Sequence, residues 1–89
     1  MAVLGYIVQY SDEDDYTVWH GFVKLFRNYT DALERANELY RGYMEKEHNV
    51  VFEGPFEVHK PTKKDCDNQG SVVVFESRNF IVWIDCVVD

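Results

Sequence analysis

Between residues 26 and 47 the apolar positions recur with the period of a helix. At 100° per residue, Tyr29, Ala32, Leu33, Ala36, Leu39, Tyr40, Tyr43 and Met44 share one sector, and Asp31, Glu34, Glu38, Arg41 and Glu45 share the opposite one. The spacing predicts one amphipathic helix lying flat on an apolar layer. Elsewhere the pattern shortens to alternation and to short apolar runs, which read as strands at 3–10, 16–25, 50–59, 72–76 and 80–88. Ser11-Asp12-Glu13-Asp14-Asp15 joins the first two strands as a turn, making an antiparallel hairpin. Gly21 in the returning arm marks a bulge or a close approach, and Gly54-Pro55 argues for an edge position or a bulge in the third strand. Ser77-Arg78-Asn79 is a tight turn, and residues 60–70 read as the longest irregular stretch.

Thr30 is the expected helix cap, with Asn28 as the alternative, and Asp31 stands favourably in the first turn. His48 and Asn49 close the helix, and Gly42 weakens its last turns. The element order is thus β-β-α-β-β-β. It implies an α+β fold, a mainly antiparallel sheet of four to five strands with one amphipathic helix on one face. Eighty-nine residues allow a single domain with one core.

Phe26, Tyr29 and Ala32 stand at three-residue steps where the hairpin hands over to the helix. The two rings set the entry angle and the small Ala lets the helix approach the sheet. With this element order, Phe26-x-x-Tyr29-x-x-Ala32 resembles the small acidic β-β-α-β-β accessory proteins of phages and large DNA viruses. That resemblance covers the first half of the chain. It implies an accessory protein that acts by binding, and it carries over no activity and no functional residue.

Charge narrows the partners. The formal net charge is −7. Asp12, Glu13, Asp14 and Asp15 form an acidic turn with no base before Lys24, and Lys60, Lys63 and Lys64 form the basic patch outside the helix. A chain without a basic stripe repels phosphate, which argues against direct nucleic-acid binding and against an anionic membrane surface. A basic protein surface suits it better, although the same charge also serves simply to keep an aromatic-rich domain soluble. Fourteen aromatics imply either a ring-rich core or rings that face a partner. Two cysteines without metal spacing or a leader-like N-terminus point to an intracellular, cytoplasmic protein with reduced thiols.

The strands carry more apolar surface than one helix can cover. Phe80, Val82, Ile84, Cys86 and Val88 form one face of the last strand, while Ile81, Trp83 and Val87 share the other with Asp85. A helix of about five turns covers the centre of one sheet face and nothing of the other. The hairpin is apolar on both sides too, with Leu4, Tyr6, Val8 and Tyr10 on one and Val3, Ile7, Trp19 and Val23 counted on the other. Trp19, Ile81, Trp83 and Val87 are therefore the expected docking patch, unless a curled strand or residues 60–70 cover them.

No motif for catalysis or metal binding stands out. His20, His48 and His59 lack ligand-pair spacing, and a zinc site built from Cys66, Cys86 and a His needs tertiary proximity. Lys63 and Lys64 beside Cys66 are placed to lower its pKa, but in a loop without rigid support. There is no Gly-x-Ser-x-Gly and no phosphate loop. No catalytic residue, cofactor or metal ligand is assigned. Two functions follow as expectations. The first is a non-enzymatic binding module, an accessory or inhibitor protein whose apolar sheet face, acidic turn (Asp12 to Asp15) and helix carboxylates Glu34, Glu38 and Glu45 engage a basic protein. The second is an assembly subunit that self-associates, as a homodimer or in a particle, through Trp19 and Trp83.

Overall fold

The computed structural model describes residues 2–12, 19–46, 56–77 and 80–89, and of residues 12, 19–24, 45 and 46 it describes the backbone alone. Five strands and two helices follow in the order β1 (Val3–Asp12), β2 (Trp19–Phe26), α1 (Tyr29–Lys46), β3 (Phe56–Val58), α2 (Lys63–Gln69), β4 (Ser71–Ser77) and β5 (Phe80–Val88). The strands form one antiparallel sheet in the spatial order β2-β1-β5-β4-β3. Glu13, Asp14 and Asp15, the Arg78-Asn79 turn, His48, Asn49 and Gly54-Pro55 lie outside the described residues.

The topology follows from how each strand is patterned. β5 is apolar on both faces and sits at the centre of the sheet, paired along most of its length with β1. That pairing brings the ends of the chain together: Ala2 N donates to Asp89 Oδ1 at 2.8 Å and Asp89 N to Ala2 O at 3.1 Å. The strand that follows Gly54-Pro55 is short and lies at the edge, where a proline is tolerated.

All eight apolar positions of α1 face the sheet. Tyr29, Ala32 and Ala36 are buried, and Leu33, Leu39, Tyr40, Tyr43 and Met44 pack partly buried against the same core. The side chains of Asp31, Glu34, Glu38 and Arg41 are exposed. α1 starts one residue after Asn28, whose carbonyl accepts from Ala32 N at 3.2 Å, so the cap position is Asn28 and Thr30 lies inside the first turn.

The aromatic excess is spent largely in this helix–sheet layer. Tyr43 stacks on Phe80 with centroids 4.1 Å apart, and Tyr40 stacks on the fully buried Phe75 at 5.1 Å. Tyr29 meets Tyr6 edge-on at 5.4 Å, a contact that anchors the start of α1 on β1.

Three local readings are corrected. Residues 60–70 are not irregular throughout, because Lys63–Gln69 is helical. Thr62 Oγ1 accepts from Asp65 N at 3.2 Å while Asp65 Oδ2 accepts from Thr62 N at 3.0 Å, and this reciprocal cap starts α2. Gly70, at φ 82°, ends it in the left-handed conformation that favours glycine. Leu4 does not join Tyr6 and Val8 inside. The β1–β5 register slips between Val3 and Gly5, and Leu4 stays 54 % exposed. The irregularity between β1 and β2 falls after Phe22, between the pairs Ile7–Leu25 and Gln9–Phe22, whereas Gly21 pairs regularly with Tyr10.

Both helices roof the same face. α2 is held there by its buried Cys66, whose thiol lies 3.7 Å from Ile84 O, and by Asp67, which accepts from Tyr6 Oη at 2.7 Å. Tyr29 Oη donates to Pro61 O at 2.6 Å and ties the start of α1 to the segment leading into α2. Among the described residues no helix covers the other face, and none is long and apolar enough to cross a membrane.

Candidate functional site

Strand register lays out that second face row by row. Gln9 of β1, Trp83 of β5 and Val73 of β4 stand side by side. Ser11, Ile81, Glu76 and Glu57 form the next row toward one end, and Ile7, Asp85 and Ser71 the next toward the other, with Val87 beyond, opposite Gly5. The face is therefore an apolar strip of Ile7, Val73, Ile81, Trp83 and Val87, all half-buried by their neighbours, with carboxylates set among them.

Asp85 organises its centre. Trp83 Nε1 donates to Asp85 Oδ2 at 3.3 Å, and the Gln9 side-chain amide donates to the same oxygen from the adjacent strand. The indole is thereby tied at its polar edge while its ring lies on the sheet. A charge on an apolar strip is tolerated because two donors meet it and water reaches it.

The second cluster on this face was not legible from spacing. Glu57 and Glu76 are direct partners across β3 and β4. His59 Nε2 stands 3.0 Å from Glu76 Oε1 and 3.4 Å from Glu57 Oε2. The signal was present as Glu57-x-His59, two residues on one side of a strand, but Glu76 joins only through register.

The expected site residues do not form one surface. Ile81, Trp83 and Val87 share the open face. Trp19 pairs with Asp12, whose partner on β5 is Phe80, so its backbone position belongs to the Phe80 row rather than to theirs. Glu34 and Glu38 are exposed on α1, which packs on the opposite face, and Glu38 is paired with Arg35 at 3.0 Å. Asp12 and Glu45 are described by backbone alone, at the end of β1 and near the end of α1.

Both thiols are free, Cys66 buried and Cys86 half-buried. Burial pushes the Cys66 thiol up to about 12, the opposite of the lowering that Lys63 and Lys64 suggest. Lys63 Nζ is 2.6 Å from Asp67 Oδ2 instead, and that bond, followed by the one from Tyr6, holds the Asp67 carboxyl below its ordinary value. Cys86 Sγ lies 3.5 Å from Asp67 Oδ1, and its thiol is raised by burial. Neither cysteine forms a metal-ligand group with a histidine among the described residues.

No protein-family model, no curated protein and no solved structure matches this chain.

Proposed function

We propose that this protein is a non-enzymatic protein-binding module, a small acidic accessory or inhibitor protein that holds a basic, partly apolar segment of a protein partner on its open sheet face. The observation that carries this reading is the half-buried strip Ile7–Val73–Ile81–Trp83–Val87, with Asp85, Glu76 and Glu57 set into it, which no helix covers among the described residues. Trp is a favoured anchor of such interfaces, and a strip of this kind marks an interaction site when contiguous. The interspersed carboxylates select Lys and Arg and speed encounter with them. A net charge of −7 favours the same class of partner and disfavours nucleic acid and anionic membrane. In this role the protein acts inside a cell, in the cytoplasm.

The test is selection of a random displayed peptide library against the immobilised protein. Selected peptides are expected to combine Lys or Arg with aliphatic or aromatic residues. Their binding is expected to weaken steeply with salt and to vanish with Trp83→Lys. Peptides without basic residues, or peptides indifferent to Trp83→Lys, overturn the proposal.

Self-assembly is the second reading, and one observation favours it: the edge strand β3 exposes Phe56 and Val58, at 46 % and 43 %. Packing the open face on a copy of itself would set Asp85, Glu76 and Glu57 against their own images, which disfavours that route. Assembly would therefore run through the β3 edge. Light scattering that finds a dimer abolished by Val58→Lys, and unaffected by Trp83→Lys, supports it.

A further inference from the structure

We infer that Glu57, His59 and Glu76 form a three-ligand site for a divalent transition-metal ion, zinc above all, at the β3–β4 edge of the sheet. The site needs no partner, although a bound ion would engage Glu57 and Glu76, two of the three carboxylates set into the docking strip.

Three observations support it. The first is geometric. Each residue offers one donor atom, and the three atoms lie within 4.8 Å of one another. The separations from His59 Nε2, 3.0 and 3.4 Å, lie near the edge of a tetrahedron around zinc, about 3.3–3.6 Å for bonds of about 2.0–2.2 Å. The second is chemical. One imidazole and two carboxylates suit zinc and its neighbours, whereas magnesium and calcium prefer oxygen alone. The third is energetic. Glu57 and Glu76 are direct cross-strand partners, and like charges in that position destabilise a ladder. A cation held between them removes that cost.

The surroundings leave room for an open coordination position. His59 and Glu76 also line a groove of about 570 Å³, which Asp65 and Gln69 of α2 and Lys60 share. All three ligands remain accessible to solvent, with side-chain exposures of 68, 39 and 46 % for Glu57, His59 and Glu76. An ion can enter without rearrangement. Once bound, it clamps the three-residue strand β3 onto β4.

The test is calorimetric titration of the intact, chelator-treated protein with zinc chloride, with thermal melting in parallel. One zinc per chain is expected, at micromolar affinity, with a rise in melting temperature. His59→Gln and Glu76→Gln are each expected to weaken binding at least tenfold and to remove the thermal shift. Magnesium in excess is expected not to compete. Glu38→Gln on α1, far from the site, is expected to leave binding unchanged. These substitutions replace solvent-accessible side chains, and circular dichroism of each variant checks that the fold persists. No saturable binding at millimolar zinc overturns the inference. So does zinc binding that survives His59→Gln, which would mark diffuse attraction to an acidic surface. Neither result bears on peptide capture by Trp83.

Discussion

The indole N–H of Trp83 donates to Oδ2 of Asp85, two residues along the same strand. Alternate residues of a strand share a face, so this bond runs along the open side of the sheet and pins the ring in place. Gln9 reaches the same oxygen from β1. Asp85→Asn keeps an acceptor but removes the charge that strengthens both bonds. It is expected to cost about 1 kcal/mol in urea denaturation. Peptide binding to the variant is expected to lose part of its salt dependence, because one carboxylate has left the strip. Binding whose salt dependence is unchanged would place the electrostatic contribution elsewhere.

Two glycines give opposite predictions. A Cβ on Gly5 would stand 2.6 Å from Phe26 O and 2.9 Å from Leu25 Cδ1, so β1 and β2 approach there as closely as glycine permits. Gly5→Ala is expected to destabilise by about 1–3 kcal/mol, as overpacking does. Gly42 is exposed in α1 with nothing within 4 Å of such a Cβ. Gly42→Ala is expected to stabilise by about 1 kcal/mol through helix propensity. Chemical denaturation of the two variants should move the midpoint in opposite directions.

Phe75 is the centre of the ring cluster. It is fully buried and contacts Tyr40, Tyr43, Phe56 and Phe80. Phe75→Ala is expected to cost about 3–5 kcal/mol, and Phe75→Leu less, since Leu refills part of the cavity. Denaturation midpoints measure both. Equal costs would mean that ring stacking, rather than volume, dominates.

The parts legible in the sequence are those fixed by period. The eight positions of α1 and the bounds of β5 follow from spacing alone, because each element buries a continuous face. α2 was illegible as a helix for a physical reason. Lys63-Lys64-Asp65-Cys66-Asp67-Asn68-Gln69 has one apolar residue and no period, and it folds through its cap and the Tyr6–Asp67 and Cys66–Ile84 contacts. The Thr62-x-x-Asp65 cap was the one local sign. Leu4 misread because a register slip at Gly5 breaks the alternation. The candidate site divides the same way. Ile81, Trp83 and Val87 could be grouped along one strand, but Glu76 meets His59 only across a pairing that the sequence does not display.

Stability should fall at both ends of the pH scale, for groups that can be named. Hydrogen bonds, from Lys63 first and Tyr6 second, lower the pKa of Asp67 from an ordinary 3.8, and the backbone and hydroxyl of Thr62 lower that of Asp65. A depressed carboxyl favours the fold above its unfolded value and loses that contribution as pH falls through the folded one. Acid should therefore loosen α2 below an ordinary carboxyl's 3.8, and Asp67→Asn should blunt that response. The alkaline side has the opposite sign. Burial raises the Cys66 thiol from 9.0 to about 12 and the Tyr29 hydroxyl from 10.0 to about 12. Both favour the fold fully while the unfolded groups remain protonated, and that contribution is lost as pH climbs from 9.0 toward about 12. Denaturation midpoints followed across this range should decline, and Cys66→Ala, although less stable at neutral pH, should decline less steeply. Thiol modification provides an independent check: a disulfide reagent at neutral pH should label the half-buried Cys86 before Cys66, whose thiol is sealed under α2. Rapid labelling of Cys66 in the native protein would mean that α2 opens on its own, and the acid response of Asp67 would then be a property of an already loosened helix.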